Sequence, residues 1–126
     1  MSTFAVHDEI GRIEHFRECE EAEAGVYLAR GDRLVPCARG LTQDAHYVRN
    51  GEVIPRPEMA PGLEGIPGGF RLWGLPTPCQ VHVNELVYEV DDGELEWTTP
   101  VSGIYQVRVS AWPYLDWERP VEVMKP

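Results

Sequence analysis

The sequence predicts an all-β fold: an N-terminal antiparallel β-hairpin meander over 1–57, a packed Pro/Gly-rich crossover over 58–78, and a small Ig-like β-sandwich over 79–126. Three observations point there. From Cys79 onward, apolar and polar residues alternate with a period of two, in short runs separated by turn residues. Further upstream, Gly31-Asp32 and Asn50-Gly51 stand between strand-forming residues, where hairpins turn. And no stretch of helical length keeps a 3.6-residue apolar period free of Gly and Pro. At 126 residues the chain has room for one ordinary domain or two very small ones.

The elements follow in order. In FAVHDEIGRIEHFRE, Phe4 and Val6 alternate, Gly11 interrupts, and Ile13 and Phe16 resume, which describes a first hairpin. The acidic stretch ECEEAEAG (18–25) has helix-forming composition but is too short to stand alone, so a loop or single turn is expected. VYLARGDRLVPC then reads as a second hairpin, with Val26, Tyr27 and Leu28 before the Gly31-Asp32 turn and Leu34 and Val35 after it. HYVRNGEVIPRP is the third. Asn-Gly suits a type I′ turn, which needs positive φ at both central positions. Pro55 and Pro57 end the pairing, because proline cannot donate to a ladder. A short strand closed by proline suits an assembly edge, with Tyr47 and Val53 as its candidate contact residues.

Residues 55–78 are dense in Pro and Gly, with isolated apolar anchors such as Met59, Phe70 and Trp73. A floppy linker would be polar, so this segment reads as a crossover bound to a surface. Beyond it, CQVHV, LVYEV, the Leu95–Trp97 pair, IYQVRVSAW and PVEVM give five short strands. In the fourth, Tyr105, Val107, Val109 and Ala111 face inward, against Gln106, Arg108 and Ser110 outward. Such economy is immunoglobulin-like, although the Cys–Trp–Cys hallmark is absent.

Composition bounds the function. There are 21 acids against 11 bases, a formal net charge of −10, which a phosphate backbone would repel; no nucleic-acid partner is expected. No apolar run is long enough to span a membrane as a helix. The opening MSTFAVHDEIGR lacks the basic and apolar regions of a signal peptide, so synthesis in a cytoplasm without secretion is expected. Cys19, Cys37 and Cys79 are odd in number and widely spaced, which argues for free thiols over a disulfide framework or a zinc site.

No nucleophile elbow, zincin, P-loop or dinucleotide fingerprint occurs, so no catalytic residue is assigned and no enzyme, cofactor or metal is expected. His7 and His15 could meet across the first hairpin, but two ligands make an incomplete zinc site. Glu85, Glu89, Asp91, Asp92, Glu94 and Glu96 could supply oxygen ligands to calcium; as a solvated hairpin turn with outward-pointing strand glutamates, they need no ion. In AWPYLDWERP, the rings of Trp112, Tyr114 and Trp117 could form a ridge that stacks on sugars or grips a protein, or they cap the core at a corner between strands.

Two segments carry a resemblance: HYVRNGEVIPRPEM, and LWGLPTPCQVHVNELVYEVDDGELEWTTPVSGIYQVRVSAWPYLDWERPVEV. Together they resemble small tail-associated proteins of tailed bacteriophages and prophages. In these a Y-V-x-x-G-x-x-x-x-R-P-x-M line precedes L-P-x-P-x-x-V-x-V, a D-G stretch, P-G-x-Y-x-V-x-V and P-Y-L-D…E-V. The resemblance is most specific over 44–123. Glu85 stands where a turn glycine is usual, and Val101-Ser102-Gly103 replaces a tighter Pro-Gly; both departures fall in loops. The resemblance implies a structural part of the virion, made in a bacterial host cytoplasm, that docks on other tail or fibre subunits. Exposed strand edges and the apolar crossover would be covered if such a tail part also associated with itself as a trimer or ring. A carbohydrate-binding module reading host surface glycans through Trp112, Tyr114 and Trp117 is the rival expectation.

Overall fold

The computed structural model describes residues 1–125 and is nearly all β, with 51% strand and 7% helix. It divides into two compact units, Met1–Arg56 and Pro57–Pro126.

The first unit contains β1 (Ser2–His7), β2 (Ile13–Cys19), α1 (Glu21–Ala29), β3 (Leu34–Cys37), β4 (His46–Arg49) and β5 (Glu52–Pro55). β1 lies between β2 and β3 and pairs antiparallel with both, so β2 and β3 run parallel to each other. Parallel strands cannot be joined by a tight hairpin and need a crossover, usually a helix. Residues 21–25 of the acidic stretch, expected as a loop or single turn, begin that helix. Val26, Tyr27 and Leu28, read as a strand of the second hairpin, are its last turns. Its apolar face is narrow: Ala24 is buried, whereas Val26 and Leu28 remain 60% and 52% exposed. A nine-residue helix of this kind is stable only through tertiary packing. Glu21 and Glu23 in its first turn suit the positive end of the helix dipole.

β1 is covered on both faces. Phe4 joins Cys19, Ala24 and Leu34 on the helix side, with Val6 and Tyr27 packed against them. Ala5 joins Ile13, Val35 and Val48 on the other, with Phe16, Cys37 and Val53 alongside. The β4–β5 hairpin supplies Val48 and Val53 to that second layer. It turns as the sequence implies, with φ of 52° at Asn50 and 78° at Gly51, and pairs Val48 with Val53. Gly11 fixes where the hairpin sits: its φ is +89° and a Cβ there would overlap the Val48 carbonyl, while its own carbonyl accepts the Val48 N–H at 2.8 Å.

The second unit contains β6 (Gly62–Ile66), β7 (Gly69–Trp73), β8 (Cys79–Val83), β9 (Leu86–Val90), β10 (Leu95–Thr98), β11 (Gly103–Ser110) and β12 (Trp117–Val123). Two sheets form, in the orders β10-β7-β6 and β12-β11-β8-β9. Thus the segment expected to be a packed crossover supplies a hairpin of two short strands, β6–β7, to one sheet. Glycine makes that possible. The Trp73 indole lies where a Cβ of its cross-strand partner Gly62 would be, and Gly69 passes against the Trp97 carbonyl.

The core shared by the two sheets includes Phe70, Leu72, Val81, Val83, Val107, Val109 and Val123, all at most 2% exposed. Trp97 ties the sheets together. Its indole N–H donates to the Tyr88 hydroxyl at 2.9 Å, its ring stacks on Phe70 at 5.4 Å, and Tyr105 meets it edge-on at 4.9 Å.

Candidate functional site

The aromatic segment does not form one platform. Tyr114 and Trp117 are half-buried and pack against the sandwich core. The chain there is a tight corner, in which the Tyr114 N–H donates to the Ala111 carbonyl at 2.7 Å and the Leu115 N–H to that of Pro57 at 2.8 Å. Trp117 borders a cleft of about 240 Å³ with Met59, Asp116 and Arg119, and Arg119 sits 5.2 Å from its ring. Trp112 borders a different cleft of about 280 Å³, with Gln80 and Glu89. A sugar-stacking ridge needs open ring faces side by side; these rings mainly close the end of the sandwich.

Tyr47 is only 7% exposed, and Val53 packs on the Ala5–Val35 layer. Tyr47 is thus buried within the unit, while Val53 is half-buried and lines a groove beside Cys37 and His46. His7 and His15 do not face each other: His7 pairs across the strands with Ile13 and His15 with Val6, and the His7 ring contacts the Asp8 carbonyl at 2.8 Å. Among the described residues, no group of three or more His, Cys, Asp or Glu is placed to hold a metal ion.

The acids of 85–96 are distributed over both sheets. Glu89 accepts from Gln80 across β8–β9 at 3.1 Å, and Asp92 caps its own turn by accepting the Glu94 N–H at 3.2 Å. Glu94 lies 3.7 Å from Arg71, and Glu96 is that arginine's cross-strand neighbour.

The three thiols are free, Cys19 and Cys79 buried and Cys37 half-buried. Burial pushes the Cys37 thiol above its usual value. For Cys79 burial is again the main cause, and Asp92 adds to it. Thiols held in the protonated form are poor nucleophiles. This bears on the groove of about 550 Å³ that Cys37 lines with Leu41, His46 and Val53: the sulfur there is suited to packing.

The feature that sequence reading missed is the exposed edge of β9, a strand it did expect. Leu86, Tyr88 and Val90 align on one face as the alternation requires, yet Leu86 is 52% exposed, as is Val87 on the other face, and β9 is an outer strand of its sheet. Period-two alternation reports which face a residue occupies and not whether another strand lies alongside. The opposite outer strand, β12, is blunted by Pro120 and by Glu118, Arg119 and Glu122. β9 has no proline, and from 84 to 93 the chain carries Glu85, Glu89, Asp91 and Asp92 with no Lys or Arg.

Both ends of β9 are held. Asn84 in the preceding turn, with φ 51°, donates its N–H to the Gln106 carbonyl and accepts the Gln106 N–H on its side chain, each at 2.9 Å. At the other end Val90 is buried, and between them Tyr88 is bonded to Trp97.

No family model matches the chain, no curated protein matches it, and no solved structure matches it.

Proposed function

We propose that the chain is a non-enzymatic structural component of a phage or prophage particle, docking on other tail or fibre subunits. The observation that supports docking most is the uncovered β9 edge: an ordered, proline-free strand with two half-exposed aliphatic side chains. Proteins that stay alone generally protect such edges, because unpaired N–H and C=O groups template pairing with another chain. The particle assignment rests on the resemblance over 44–123, whose motifs lie on either side of β9.

A glycan-reading role for Trp112, Tyr114 and Trp117 draws less support, since two of the rings pack on the core and the third borders another cleft. Mass spectrometry of purified particles tests the reading. The protein should be recovered at a fixed ratio to tail subunits through successive purification steps; its loss during purification would overturn the assignment.

A further inference from the structure

We propose that β9 is the receiving strand of a β-addition site whose partner is an extended segment of another protein, alternating apolar residues with Lys or Arg. This rests on the docking reading above and names the surface and the chemistry of the partner. In β-addition the backbone ladder supplies affinity and side chains on alternate positions supply selectivity. The two-residue turn Asn84-Glu85 makes Val83 and Leu86 the closing pair of the β8–β9 hairpin. By alternation, Val87 and Glu89 then direct their N–H and C=O groups toward the open side.

Charge selects the partner. Glu85, Glu89, Asp91 and Asp92 are all exposed and surround the strand within about a Debye length of an added chain. An incoming strand with basic side chains would neutralise them, while Leu86 and Val87 offer it aliphatic contacts. A second copy of this chain fits poorly. Two-fold antiparallel pairing centred on Tyr88 would set Glu85 opposite Asp91 twice, between molecules of net charge −10, and like charges directly opposite are destabilising.

The test uses the isotope-labelled full chain and two synthetic peptides, one alternating Lys with Val and one alternating Glu with Val. The Lys/Val peptide should bind, slow amide exchange at Val87 and Glu89, and weaken with added salt; the Glu/Val peptide should not bind. Val87→Pro removes one open-side donor and should weaken binding about tenfold, the order of one lost hydrogen bond. Should the proline disturb the fold, Val87→Lys keeps the ladder, adds repulsion toward the basic peptide and should weaken it similarly.

Absence of β9 protection with the Lys/Val peptide, protection at another edge instead, or equal binding of the two peptides would overturn the proposal. So would wild-type affinity in Val87→Lys. Particle incorporation separates this from the reading beneath it. A protein found in particles with a silent β9 keeps its docking role and loses this site. A β9 that binds the peptide in a protein absent from particles loses only the virion role.

Discussion

Trp97 is the residue through which the second unit is most sharply tested. Trp97→Phe keeps an aromatic ring on Phe70 but removes the N–H that the Tyr88 hydroxyl accepts at 2.9 Å. A part-buried hydroxyl left without that partner costs about 1 kcal/mol, and the smaller ring leaves a void costing about another 1 kcal/mol, so a loss near 2 kcal/mol is expected. Tyr88→Phe alone should cost about 1 kcal/mol. Because both changes break the same bond, the double variant should lose about 2 kcal/mol rather than the sum of the two, a coupling of about 1 kcal/mol.

The assay is direct. Trp73, Trp97, Trp112 and Trp117 all lie in the second unit, so tryptophan emission during urea unfolding reports on that unit alone. At a slope of about 1–2 kcal/mol per molar urea, the Trp97→Phe midpoint should fall by about 1 M or more. Strict additivity in the cycle, or a Trp97→Phe midpoint equal to wild type, would refute the bridging role.

Gly11→Ala should destabilise the first unit by about 2–3 kcal/mol, from a left-handed backbone forced on alanine and a lost contact to the Val48 amide. Far-ultraviolet dichroism, where α1 contributes, should show the change while tryptophan emission does not. Cys37 and Cys79 should alkylate slowly near neutral pH in the folded protein and rapidly once unfolded. Their folded values are raised, so the stability they contribute is fully present below the ordinary thiol value and declines as pH climbs through the raised one. Stability should therefore hold through neutrality and fall only in alkaline solution; a thiol-dependent loss at neutral pH would contradict this. On a glycan array, the wild type should give no signal that depends on the 112–117 corner. A signal lost in both Trp112→Ala and Trp117→Ala, with each variant folded, would move the glycan reading ahead of docking.

The parts legible in the sequence were those set by local chemistry. Asn50-Gly51 demands a type I′ turn wherever it occurs, and alternation in β8 and β11 is enforced by one buried face. What was not legible depends on partners distant in the chain. Helix α1 forms because β2 and β3 flank β1 in parallel, a consequence of topology that 18–25 cannot announce by itself. Phe70 was legible as an apolar anchor, but its place on a strand was hidden by the surrounding prolines and glycines. Gly62 and Gly69 look like strand breakers until Trp73 and the Trp97 carbonyl occupy the space their missing side chains leave. Tyr47, chosen as an edge contact because it is a strand-forming aromatic, is buried because Gly11 draws the hairpin against the first sheet.

The same long-range packing makes β9 a defined surface. An edge strand that frays presents no fixed register, and an added chain must then supply the ordering cost itself. In β9 that cost is met within the fold. Asn84 is bonded twice to Gln106, Tyr88 is held by the Trp97 indole, and Val90 is sunk in the core opposite Cys79. The backbone groups of Val87 and Glu89 that face away from β8 are left for a partner. Loosening Trp97 should therefore weaken partner binding at β9 as well as stability, although the indole lies on the other sheet. Amide exchange at Val87 and Glu89 in Trp97→Phe, measured without any peptide, gives the check. Faster exchange there with β12 amides unchanged is the expected result, and uniform exchange across both edges would show that β9 is not specifically held.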